Sequence, residues 1–179
     1  MINMNNHRNL ELLKPDIERD APFALSWFVR PEGKDTLLRM GNAEHEIPEP
    51  SLEAETDRIK EFIQLEAESK QITRMISVDG VTIGAVWLEL IETRGVKPPS
   101  LHIMIGNSDY RGMGIGKIAM LEAIDLAKNK GYKVIYTRHL TNNTEIKKLN
   151  DSLGFVDDGD PYTDNNGLTW QHIKLNLED

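Results

Sequence analysis

The chain has 179 residues, 39% of them hydrophobic and 28% charged, a length and composition that suit one well-buried domain spanning residues 1–179. Its net charge of −8 is opposite in sign to that of a phosphate-backbone binder, which argues against nucleic acid as a partner. With no cysteine, disulfides, thiolate nucleophiles and cysteine-ligated metals are excluded, and His45, His139 and His172 are too scattered to suggest a metal site.

No apolar run approaches the roughly 18–20 residues that a membrane span needs. Residues 1–8 lack the apolar stretch of a secretory signal, so the expectation is a cytoplasmic protein with no membrane association. Residues 10–14 read as a first strand before Pro15. Asp20 is expected to cap a helix from Ala21, with Pro22 tolerated in its first turn and Phe23, Trp27 and Phe28 on its apolar stripe. Residues 31–50 form a long polar connector with a helical turn at 36–40, and connectors of that length tend to carry function.

Ser51 opens a helix to about Glu68, whose buried face is expected to use Leu52, Ile59, Phe62 and Ile63. The excess acid falls between Glu44 and Glu68. It reads as a solvated helix face or as a means of steering a cationic acceptor. Strands follow at 72–78 and 81–91, joined by Asp79-Gly80, a strong hairpin signal. A third strand of this run spans 101–106.

Beyond it come a glycine-rich loop, a helix over 114–130 stopped by Gly131, and a strand over 132–138. Asn142 and Glu145 resemble a capping box for a helix closed by Gly154, and strands at 155–156 and 168–175 complete the chain. An antiparallel hairpin followed by a crossover helix gives an α/β (or α+β) fold, a mixed sheet with helices on both faces.

The chemistry concentrates in Arg111-Gly112-Met113-Gly114-Ile115-Gly116-Lys117. Glycines between a strand and a helix permit positive φ and close approach, and the unpaired N–H groups that open the helix make an anion site suited to phosphate. A Walker A loop is excluded, because it requires glycine where Arg111 stands and a hydroxyl residue where Ile118 stands. A dinucleotide fingerprint fits Gly114, Gly116 and Ala119 as G-x-G-x-x-A, with Arg138 available for an NADP ribose phosphate. Its position, after the hairpin and with one crossover remaining, argues against it.

The loop also resembles the R/Q-x-x-G-x-G/A motif of the GNAT superfamily of acyl-CoA N-acyltransferases. The asparagine and Gly-Phe pair of that family resemble Asn143 and Gly154-Phe155 at their expected offsets. The resemblance covers most of the chain and is strongest over 101–155, within the branch that includes ribosomal-protein and aminoglycoside acetylases. It implies a mostly antiparallel sheet splayed at its fourth strand, and transfer of an acetyl group from acetyl-CoA to a primary amine of a small molecule or a protein N-terminus. A non-catalytic acyl-CoA-sensing module is the alternative.

For the coenzyme, the resemblance implies that the pyrophosphate sits on the loop Arg111-Gly112-Met113-Gly114-Ile115-Gly116, held by the backbone N–H groups of Met113 to Gly116. Main-chain groups of Met104, Ile105 and Gly106 would pair with pantetheine beside Asn143. Asn150 stands where many members carry a tyrosine that acts as general acid, and Tyr110 or Tyr162 would have to replace it, or water. His102 is the first candidate for the base that takes the amine proton and Glu89 the second. His102 occupies the place of an acceptor-binding aspartate in aminoglycoside acetylases. The acceptor pocket is expected among the N-terminal helix, its connector and residues 157–167, where Asp157, Asp158 and Asp160 would meet a cationic substrate. A homodimer is compatible with the family.

Overall fold

Residues 71–78 and 81–89 are buried almost continuously, as in strands covered on both faces, and Asp79-Gly80 turns the run back on itself. The result is the expected hairpin of β3 (Gln71–Val78) and β4 (Val81–Glu89). Both turn residues take positive φ, 52° and 82°, as a two-residue hairpin turn requires. The structure, a computed structural model, describes residues 2–4 and 8–177.

Among the described residues the chain adds β1 (Ile2–Met4), β2 (Arg8–Leu13), β5 (Ser100–Ile105), β6 (Val134–Leu140), β7 (Val156–Asp157), β8 (Tyr162–Thr163) and β9 (Thr169–Asn176). Its helices are α1 (Ile17–Phe28), α2 (Gly33–Arg39), α3 (Leu52–Ala67), α4 (Ile115–Asn129) and α5 (Thr144–Ser152). The strands lie in the order β1-β2-β3-β4-β5-β6-β9-β7, with β8 also on β9. The pairings are antiparallel except that of β5 with β6.

Because successive strand residues point to opposite faces, the sheet supports two cores. On one face Ile76, Val86 and Leu101 pack with Ile115, Ala119, Met120 and Ala127 of α4. On the other, Met75 and Ala85 pack with Ala21, Ala24, Trp27 and Phe28 of α1 and Ile59 of α3. The expected mixed, mostly antiparallel sheet with helices on both faces is therefore observed. The parallel pair β5/β6 is joined in register only at Ser100↔Tyr136, so the two strands separate beyond Ser100. This is the splay expected at the strand over 101–106.

Several expectations are corrected. Asp16, not Asp20, caps α1, accepting from the Arg19 N–H at 2.8 Å. Asp20 lies inside the helix, fully buried, and Thr82 of β4 donates to it at 2.8 Å. Pro22, read as a first-turn residue, falls mid-helix instead. In α3 the inward stripe is Glu55, Ile59 and Phe62, whereas Leu52 and Ile63 are exposed. Asn143 rather than Asn142 caps α5, accepting from Ile146 N–H at 3.3 Å. The chain becomes extended at Val134, not Tyr132, because the Tyr132 N–H still bonds back to the Ala127 carbonyl at the end of α4.

Candidate active site

The glycine loop forms a strand-to-helix turn. A short 3-10 segment (Ser108–Tyr110) leads from β5 to Gly112 and Gly114, which take φ of 71° and 78°. A Cβ at either would meet no atom within 4 Å, so their conformation, and not crowding, calls for glycine. No side chain caps α4 and no acidic residue lies in its first turn. The first backbone bond of α4 joins the Ile118 N–H to the Gly114 carbonyl at 3.3 Å. The N–H groups of Ile115, Gly116 and Lys117 therefore open the helix with no intrahelical partner, on a turn whose residues 112–114 are exposed. Buried Ile115 roots it in the core.

Arg111 takes no part through its side chain in that anion-binding geometry. Its guanidinium turns back to the end of β5 and donates to the Ile105 carbonyl from Nε (3.0 Å) and from an Nη (2.8 Å), and to Thr36 Oγ1 at 2.8 Å. It thus ties the splayed strand to α2, and of the main-chain groups expected to pair with pantetheine the Ile105 carbonyl is already taken. Gly106 is needed for another reason: a Cβ there would lie 2.3 Å from the Trp27 ring. Asn143 caps α5 and donates from Nδ2 to the Arg39 carbonyl at 3.1 Å, so it joins α5 to α2.

Where β5 leaves β6, two adjoining cavities open. The larger, about 550 Å³, lies between the sheet and the α1, α2 and α3 side, with Trp27, Glu55, Phe62, Trp87, Glu89 and His102 in its wall. The smaller, about 120 Å³, reaches Asn143 and Asn150 and shares Met40, Trp87, His102, Arg138 and Trp170 with the first. The polar connector supplies Leu37, Met40, Ile47 and Pro48 to the large cavity. Residues 157–167 do not line it. Asp158 is spent on Lys174 at 2.9 Å, which holds its carboxyl below the usual range, while Asp157 and Asp160 are exposed. Asp164 acts at one remove, accepting from the Trp170 indole at 2.8 Å.

His102 sits at the junction of the two cavities. It is the cross-strand partner of Trp87, and its ring stacks on the indole at 5.5 Å, with Phe62 stacked on the far side at 6.5 Å. Its Nε2 lies 3.0 Å from Ser100 Oγ and 3.5 Å from Glu89 Oε2. Burial raises the Glu89 carboxyl, but His102, Trp87 and Thr93 outweigh it, so its ionisation lies below the usual range. Ser100 donates its single proton to that carboxylate at 3.4 Å, so its oxygen accepts from His102. Both neighbours thus call for a proton on Nε2, and neutral His102 carries its lone pair on Nδ1, which has no hydrogen-bond partner among the described residues.

Buried polar atoms are almost always paired. Three buried side-chain atoms among the described residues are not: Trp27 Nε1, Glu55 Oε2 and Asn150 Oδ1. Each belongs to a residue lining these cavities. Of them the sequence singles out Asn150 and places Trp27 on an apolar stripe, while Glu55 carries no signal beyond its place in the acidic stretch from Glu44 to Glu68. Neither tyrosine suggested as a substitute acid lines either cavity. The Tyr162 hydroxyl accepts from Arg138 at 2.7 Å and pairs with His172, and Tyr110 packs against the α4 core. Arg138 also lies over the Trp170 ring at 3.9 Å, which removes it from any ribose phosphate at the loop.

A helix start with unpaired N–H groups, a splayed strand and a histidine lining two adjoining cavities form an arrangement suited to group transfer from a phosphate-bearing donor. Residues 37–155 match the model of the Acetyltransferase (GNAT) family, more than half of the chain, and the protein belongs to that family. It is an acyl-CoA N-acyltransferase whose co-substrate is acetyl-CoA. Compared by sequence with curated proteins, the chain finds no match.

Its fold is similar to that of the microcin C7 self-immunity acetyltransferase MccE in complex with acetyl-CoA and AMP (TM-score 0.77, 15% identity, 94% of this chain and 92% of that one). It is similar also to ribosomal L7/L12 alpha-N-protein acetyltransferase in complex with coenzyme A (0.78, 13%, 94% and 94%). A third resemblance is to ribosomal-protein-S5-alanine acetyltransferase from Vibrio fischeri (0.71, 20%, 99% and 97%). At these identities the likeness is one of fold. No helix among the described residues is long and apolar enough to cross a membrane.

Proposed function

We propose that the protein acetylates a primary amine, of a small molecule or of a protein N-terminus, held in the large cavity with its nitrogen at His102. The observation that carries this reading is the anchored Nε2 of His102, which leaves an unpartnered Nδ1 lone pair on a side chain lining both cavities. Acetyl-CoA supplies the activated acetyl thioester. The N–H groups of the turn from Gly112 to Gly116 grip its pyrophosphate, and main-chain groups of Met104 and Gly106, with the Ile105 N–H, hold the pantetheine arm next to Asn143.

An alkyl amine with a pKa of roughly 10 is mostly protonated at neutral pH, so a base is required before it can attack. His102 Nδ1 takes the proton lost by the acceptor nitrogen as the new C–N bond forms and the C–S bond breaks, and Glu89 stabilises the imidazolium from the opposite nitrogen. With Asn150 in the family's tyrosine position, a water held by its unpartnered Oδ1 returns a proton to the departing sulfur. A thiol with a pKa of roughly 8.5 is a tolerable leaving group without a phenol.

The reading extends to one domain over residues 1–179, acting in the cytoplasm on an acceptor of cationic character. The test is thiol release from acetyl-CoA across a panel of primary amines, small molecules and peptide N-termini alike. Release that depends on the amine is expected. Saturable coenzyme binding without amine-dependent release for any member of the panel would overturn the proposal.

A further inference from the structure

Two carboxylates are buried on the α1/α3 side of the sheet, and they are provided for differently. Asp20, at 0% exposure, receives four bonds of 2.8 Å: two from Arg19, one from the Asp16 N–H and one from Thr82. Glu55, at 2% exposure, has Arg58 at 3.6 Å from Oε1 and nothing on Oε2. A buried carboxylate with an empty oxygen is costly. Burial pushes the Glu55 carboxyl up, and Arg58 draws it only partly back.

Its place on the helix sharpens the anomaly. Glu55 begins the inward stripe that continues through Ile59 and Phe62, while Leu52, one turn earlier, is 50% exposed. A helix stabilised by packing alone would have the leucine inside and the glutamate out, and such a breach of pattern is the mark of a site. Of the other charges around the cavity, Glu61 and Arg94 are exposed and three more are engaged. Glu89 serves His102, Glu46 accepts from the Ala43 N–H at 3.3 Å, and Arg58 lies over the Phe28 ring at 5.1 Å.

We propose that Glu55 Oε2 anchors a second cationic group of the acceptor, so that the preferred substrate is a primary amine bearing a further ammonium or guanidinium at the other end of the cavity. This rests on the acylation reading above, in that the amine to be acetylated sits at His102 while the distal cation donates to Glu55. The carboxylate then gains the partner that the fold withholds, and a neutral chain of the same length leaves it unpaired.

The probes are a series of α,ω-diamines of increasing length, each beside the monoamine with the same chain. With wild-type protein, binding by titration calorimetry and kcat/KM by thiol release are expected to favour at least one diamine over its monoamine by about tenfold or more, as for a charge-assisted bond. In Glu55→Gln, shown folded by circular dichroism and by unchanged acetyl-CoA affinity, that ratio falls toward one. Equal treatment of diamine and monoamine at every length by the wild-type protein, or a ratio undiminished in Glu55→Gln, would overturn the proposal, and the first needs no variant. A diamine preference in binding with no thiol release for any amine would instead sink the acylation reading and leave the anchor standing.

Discussion

The turn over residues 112–117 and the α3 stripe around Glu55 are two ways of making a polar site. The turn offers the backbone N–H groups of Ile115, Gly116 and Lys117, left without an intrahelical partner by an uncapped helix start, and asks little of neighbouring side chains. The stripe offers a side-chain oxygen kept unpaired by burial, in a cavity walled by α1, α2 and several strands of the sheet. A backbone site depends on local conformation and can be rebuilt by any sequence that keeps the glycines. A side-chain site depends on what the fold brings opposite it, which allows an acceptor pocket to differ while the coenzyme turn stays the same.

The largest effect should come from His102, where the two cavities meet. His102→Gln keeps the size and a hydrogen bond but not the base, and kcat should fall by roughly 10²–10⁴ with the acetyl-CoA KM little changed. A matched loss in KM and none in kcat would reassign His102 to binding. Next, Gly114→Val puts a β-branched residue at φ 78°, at a strain of roughly 1–3 kcal/mol, with its side chain in the anion's approach. Acetyl-CoA affinity by calorimetry should weaken by about 100-fold or more, while the distal-cation preference measured by diamine binding persists. Loss of both together would show the two regions to be one cooperative unit.

The smallest effect is on stability and concerns Glu55 alone. Its folded-state ionisation lies above the reference value of 4.5 because burial disfavours the charge. Its contribution is therefore fully favourable below that reference and is lost as pH rises through the folded value. Glu55→Gln removes the charge, so its melting temperature should exceed that of wild type at about pH 7, with the gain shrinking toward about pH 4. A variant less stable at neutral pH would mean that the charge is better compensated than its contacts imply.

What was legible in the sequence follows the same division. The hairpin announced itself through Asp79-Gly80, and the turn through Gly112 and Gly114, because those conformations admit few residues and so leave a compositional trace. His102 and Glu89 were reachable as neighbours on adjacent strands once the hairpin was known, and the structure brings them within 3.5 Å. Asp20 was misassigned as a cap because Pro22 looked like a first-turn residue, whereas Asp16 already satisfied the Arg19 N–H. Glu55 was passed over because its inward orientation depends on how α3 lies against α1 and the sheet, and hydrophobic periodicity placed Leu52 inside instead. Asp158 failed as an acceptor contact because Lys174, distant in sequence, had already claimed it.

The grip of the helix start on the coenzyme is tested most directly by following backbone amide resonances as coenzyme A is titrated into ¹⁵N-labelled protein. The largest shifts are expected at Gly114, Ile115 and Gly116, saturating together with smaller changes at Met104 and Gly106. Saturable binding that leaves those three amides unmoved would contradict it.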